Sequence, residues 1–112
     1  MVRWAEIVLT AQFSIGPIRL EKQSRQESWV VILQHDSVSA LATRIVAPLL
    51  AEPQIKRVAR LHPVLRLEGR EMILAVDQAA AVPVSRLGDA VGSAEHLCYK
   101  IVAALDLLIT GV

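Results

Sequence analysis

Val64-Leu65-Arg66-Leu67-Glu68-Gly69-Arg70-Glu71-Met72-Ile73-Leu74-Ala75-Val76 decides the fold class. Two apolar runs flank a short turn that carries a glycine, the pattern of a β-hairpin. Pro63 ahead of it and Pro83 beyond it punctuate the segment. Upstream, Trp29-Val30-Val31-Ile32-Leu33 is continuous and rich in β-branched residues, as expected of a strand buried on both faces. Arg44 to Leu50 is another apolar run, broken by Pro48. Proline cannot donate to a ladder, so this strand should end there or run along an edge. Pro17 to Ser28 is polar and charged and reads as a loop or an exposed hairpin. Val82-Pro83-Val84 reads as a short extended piece, and Gly88 and Gly92 mark the loop after it.

The period changes after Ser93. Leu97, Ile101, Leu105 and Leu108 form one stripe, and Cys98, Val102 and Ile109 an adjacent one. Spacings of three and four predict a helix over Ser93 to Thr110. Ser93 suits the N-cap, Glu95 the first turn and Gly111 the C′ position. A surface helix needs one apolar stripe about 100° wide; this one is wider, so it should pack between its own body and a second copy of the chain. The sequence therefore describes several antiparallel strands followed by one long helix, and a small barrel or half-barrel hides the strand edges of so short a chain.

The 112 residues suit a single domain, 1–112. A composition that is 54% hydrophobic, with mean hydropathy +0.45, exceeds what a small monomer readily hides and favours a subunit interface. The formal net charge of +1 argues against direct sequence-specific nucleic-acid binding, which normally brings a basic excess. Cys98 is the one cysteine, which excludes an intramolecular disulfide and fits a reducing cytosol; it reads as a small buried apolar residue. Residues 1–10 do not form a signal segment, because Glu6 interrupts a short apolar patch. The apolar stretch Ile101 to Ile109 contains Asp106 and is far shorter than the roughly twenty residues of a membrane span. A soluble protein is expected.

No catalytic constellation emerges. His35, His62 and His96 are too widely spaced for a local metal motif, and the scattered glycines form no phosphate loop. His35-Asp36 beside Ser37 and Ser39 superficially suggests a hydrolase, but neighbours in sequence do not make a triad. Lys56, Arg57 and Arg60 read as a solvated basic face. No cofactor, metal site or catalytic residue is expected.

A family resemblance carries the function. Leu33-Gln34-His35-Asp36, then Arg44-Ile45-Val46-Ala47-Pro48-Leu49, resemble the strand ending in V-Q-S-D and the later R-x-V-x-P-L strand of CcdB toxins. His62-Pro63-Val64-Leu65-Arg66-Leu67 resembles their P-V-x-x-I strand, and Val82-Pro83-Val84-Ser85-Arg86-Leu87-Gly88 their V-P-V-S-x-x-G segment. Ile101 to Val112 is similar to their terminal helix. These motifs fall in family order across residues 30 to 112. The first family strand begins either at Gln12-Phe13, making 1–11 an N-terminal extension, or at Val2-Arg3-Trp4, with an insertion after it.

The resemblance implies an SH3-like β-barrel of the CcdB/MazF type, with a small extra sheet and a C-terminal helix. It implies a cytoplasmic bacterial homodimer whose terminal helices lie side by side, often serving plasmid maintenance. Such a toxin binds the A subunit of DNA gyrase and traps its cleavage complex without catalysing a reaction. A CcdA-like antitoxin with a disordered C-terminal segment neutralises it. Carried over by position, the gyrase-binding residues are Thr110, Gly111 and Val112 at the tip, Asp106 one turn earlier, and Ser37 and Val38 in the flanking loop. Thr110 stands where a well-known family pattern has tryptophan, and losing an interface tryptophan costs about 2–4 kcal/mol. Two other readings stay open: an mRNA endoribonuclease of the MazF type, which shares the barrel, and a non-toxic dimeric binding scaffold.

Overall fold

The computed structural model describes residues 11–19, 28–51 and 55–112. Among them, strands β1 (Ser14–Ile18), β2 (Ser28–Ile32), β3 (Thr43–Leu50), β4 (Val64–Leu67), β5 (Arg70–Leu74), β6 (Ala80–Pro83) and β7 (Gly92–Ser93) precede helix α1 (Cys98–Thr110). All the pairings are antiparallel. The order is β4-β5-β3-β2-β1-β7, with β6 also on β3. This is the expected class: a mostly-β sheet that nearly closes into a barrel, followed by one helix. No helix among the described residues is long and apolar enough to cross a membrane.

The continuous apolar run of β2 is explained by two cores. Val31 and Leu33 join Phe13, Ile15, Ala47, Leu49, Leu97 and Ile101 on the helix side of the sheet. Val30 and Ile32 join Ile18 and Val46 on the other side. Alternate residues of one strand therefore meet different cores, and neither face can be polar.

The β4–β5 hairpin forms as expected. Glu68 and Gly69 have φ of 52° and 77°, the pair of left-handed residues that a two-residue type I′ turn requires. The hairpin hangs on the last residues of β3 through Leu49↔Leu74 and Leu50↔Ile73, and so supplies the small extra sheet as a continuation of the main one.

Pro48 corrects one expectation. It neither ends β3 nor lies on an edge: it is registered with Val30 in the middle of the sheet. On its other side β3 changes partner, from β6 at Thr43–Val46 to β5 at Leu49–Leu50. The Pro48 carbonyl points to that side, where the Ala75 N–H donates to it at 2.9 Å. In an antiparallel strand a residue's N–H and C=O point the same way. The donor that proline lacks would thus face the break between β6 and β5, where no strand is paired.

The helix also begins later than the apolar period suggests. Ser93 is still extended, paired with Ser14 in β7, and the Ala94 N–H donates to the Phe13 carbonyl at 2.7 Å. The Ser93 hydroxyl accepts from the Glu95 N–H at 3.1 Å, so it caps a 3-10 turn, Glu95–Leu97, ahead of α1. Phe13 itself takes φ of 66°, a conformation costly for a non-glycine residue. Its amide donates to Ile32 and its carbonyl accepts from Ala94, which together hold it there.

Candidate functional site

α1 buries Ile101 and Ala104, and Leu97 just ahead of it is buried too, with Cys98 and Leu105 packed partly against the same core. The other side is bare: Tyr99 is 88% exposed, Ile109 78% and Val112 80%, with Val102 and Leu108 also exposed. The excess apolar width is therefore real and uncovered in a single chain.

The tip closes as its sequence suggests. Gly111 takes φ of 80° and donates to the Leu107 carbonyl at 3.0 Å, an αL helix stop. The Thr110 hydroxyl donates to the Asp106 carbonyl at 2.6 Å. This bond links two of the candidate residues one turn apart and leaves the Asp106 carboxylate to solvent. Asp106, Thr110, Gly111 and Val112 are all exposed and form one surface.

Ser37 and Val38 lie in a short 3-10 turn, Asp36–Val38. The Ser37 N–H donates to His35 Nδ1 at 3.0 Å, and the Ser37 hydroxyl lies 2.9 Å from the same nitrogen. Asp36 accepts from the Gln12 N–H at 2.8 Å instead of facing His35. Asp36 therefore holds the Gln12 backbone, and His35 holds the turn that carries Ser37.

One residue without an assigned role in the sequence builds this loop. The Arg44 side chain, only 5% exposed, donates to the carbonyls of Ser39 at 2.7 Å, Leu41 at 2.5 Å and Thr43 at 2.9 Å. Gln34 adds a brace, donating to the Val38 carbonyl at 3.0 Å and accepting from the Ile45 N–H at 3.2 Å. An arginine in an apolar strand is the signal that marks it.

Tip and loop are not joined within one chain. The loop sits at the start of β3 and near the start of α1, whose lead-in residue Ala94 bonds Phe13 next to the end of β2. Val112 instead lies with Pro63 and Val64, and Val64 pairs with Ile73, the partner of Leu50 at the end of β3. The eight residues of β3 span roughly 23 Å. No hydrogen bond or ion pair among the described residues links the two groups.

The histidines do not converge. His62 is buried, accepts from the Val58 N–H through Nδ1 at 2.7 Å and meets Asp77 through Nε2 at 2.8 Å. The backbone donor places the ring proton on Nε2, facing the carboxylate. No group of three or more metal-ligating side chains forms among the described residues.

A search of curated proteins by sequence finds no match. Among solved structures the fold is similar to an endoribonuclease in complex with its cognate antitoxin from a mycobacterial species. That match has a TM-score of 0.72 and 14% identity, over 89% of this chain and 94% of the other. At that identity the likeness concerns the fold. The model of the CcdB protein family matches residues 12–111, starting at Gln12, the later of the two candidate beginnings. Nearly the whole described barrel and the helix up to its glycine stop fall within that match, and the chain belongs to the CcdB family, toxins of toxin–antitoxin modules.

Proposed function

We propose that the protein binds the A subunit of DNA gyrase through the tip of α1 and traps the enzyme's cleavage complex with DNA, catalysing nothing itself. One observation carries this reading. The last residues of the matched span and Val112 just beyond it are exposed and leave the core untouched, with Ile109 78% and Val112 80% accessible. Exposed apolar groups next to a polar pair, Asp106 and Thr110, form a recognition surface. The bare side of α1 is covered by a second copy, making a homodimer with its terminal helices side by side. With the tips meeting near the two-fold axis, Ser37 and Val38 flank them as a second contact. A CcdA-like antitoxin with a disordered C-terminal segment neutralises the dimer in the bacterial cytoplasm.

The test uses purified gyrase in supercoiling and cleavage assays, beside an RNA-cleavage assay. Gly111→Glu, or deletion of the last two residues, should abolish cleavage-complex trapping and growth inhibition, with dimerisation retained. The endoribonuclease reading has one observation in its favour, the fold neighbour described above. RNA degradation by a tip-deleted variant that still arrests growth would establish it instead.

A further inference from the structure

The bridge Ile18↔Leu87 ties the end of β1 to the segment that follows β6. Two backbone bonds frame it. The Arg19 N–H donates to the Arg86 carbonyl at 3.0 Å, and the Gly88 N–H to the Pro17 carbonyl at 2.9 Å. Gly88 makes so close an approach possible, since a Cβ there would stand 2.7 Å from Pro17 Cγ. Ile18 and Leu87 join the second core, and Arg19 and Arg86 face each other in the same antiparallel register. Both arginines are exposed, and both line a cleft of about 270 Å³ together with Ser85, Pro17 and Leu87. Like charges set opposite each other across paired strands repel, so an anion between the two guanidiniums is favoured. The Arg19 side chain and the Ser85 hydroxyl have no partner among the described residues. Arg86 carries five N–H donors, enough to serve an anion beside any other acceptor.

We infer that this cleft binds a backbone phosphate of a nucleic-acid strand, as a single contact without base readout. A tetrahedral phosphodiester presents its two free oxygens to two separate guanidinium forks, and the Ser85 hydroxyl donates to the same oxygens. A carboxylate is planar and is satisfied by one fork. The adjoining sugar lies against Pro17 and Leu87, an apolar surface that a free phosphate ion would leave uncovered. Phosphate contacts position a protein on a strand and read no sequence, which agrees with a chain of net charge +1. The contact gives the protein a hold on nucleic acid that does not depend on the target taken by the tip of α1.

Fluorescence anisotropy on the full chain at low salt tests this, with short labelled RNA, single-stranded DNA and duplex DNA of one sequence. Binding to at least one of them should saturate and weaken as salt rises, and the tightest of the three identifies the source of the phosphate. Arg19→Gln should weaken that binding about tenfold, equally for an unrelated sequence, and lower the salt slope by about one. Arg19→Lys, which keeps the charge without the fork, should fall between. The Arg19 side chain is exposed and without a partner among the described residues, so both variants should melt like the parent. Arg70→Gln, in the hairpin at the other end of the strand order, should bind as the parent does. No saturable binding to any of the three nucleic acids overturns the proposal, and so does unchanged affinity in Arg19→Gln. An equal loss in Arg70→Gln would reduce the binding to diffuse attraction and overturns it as well. So does displacement of the labelled strand by a glutamate-rich peptide, or by inorganic phosphate, as effectively as by the unlabelled strand.

Discussion

The guanidinium of Arg44 donates to the carbonyl oxygen of Ser39 at 2.7 Å from a buried position with no carboxylate partner among the described residues. Its charge is met by backbone dipoles, and the loop carrying Ser37 and Val38 is folded around it. Arg44→Met would leave the carbonyls of Ser39, Leu41 and Thr43 without their donors. Hydrogen bonds to charged groups are worth about 1.5–3 kcal/mol each, and buried groups stripped of partners cost a comparable amount. The variant should lose about 2–4 kcal/mol of stability in urea unfolding, while Arg44→Lys, which cannot span three acceptors, falls between.

Gly111 separates backbone strain from recognition. A Cβ there would meet nothing within 4 Å, so a side chain fits and only the φ of 80° resists it. Gly111→Ala should cost about 1–2 kcal/mol, and Gly111→Asn less, since asparagine tolerates the left-handed region. Thermal melts of the two variants beside the parent measure this. A far greater loss of gyrase trapping in Gly111→Asn than in stability would place the glycine against the target's backbone.

His62 anchors the segment that carries Arg57 and Arg60. His62→Phe keeps the ring volume and removes both nitrogens, leaving the Val58 N–H and one side of Asp77 without their partner. A stability loss of about 1–3 kcal/mol is expected. Trypsin should cut after Arg57 and Arg60 markedly faster than in the parent, as local opening becomes easier. Unchanged cleavage would mean that other contacts hold the segment.

Val102 tests the homodimer. In the single chain it is 48% exposed, so Val102→Glu should leave the isolated fold intact. In a helix-to-helix dimer it would bury an unpaired charge at a cost of several kcal/mol. Light scattering at micromolar concentration should give twice the 12.3 kDa chain mass for the parent and a monomer for the variant. A monomeric parent would defeat the dimer outright.

The elements legible in the sequence are those set by local periodicity. The hairpin at Glu68-Gly69, the doubly buried run at Val30 to Leu33 and the glycine stop at Gly111 each follow from residues near in sequence. Pro48 defies a local reading because its missing donor is harmless only where β3 changes partner, a fact about Ala80 and Leu74 and not about its neighbours. Ser93 has the look of a helix cap because its pairing with Ser14 is equally non-local. Of the candidate site, the exposed tip is readable from the αL glycine. The role of Arg44 is not, since the three carbonyls that accept from it converge only when the loop closes. Nor is the separation of tip and loop, which depends on the loop lying at the start of β3 and the tip beside the β4–β5 hairpin that pairs with its end.

The change of partner at Pro48 also makes β3 a ruler for the rest of the molecule. Its first half measures β6, its last two residues measure β5, and Val46–Leu49 on its other side measure β2. Adding or removing one residue within it would turn Ala47 and Leu49 from one core to the other and carry Ala75 away from its acceptor. The strand can accept exchanges of side chain far more readily than any change in length. An added residue is accommodated in the connections between strands instead, and the register around the barrel is held from within.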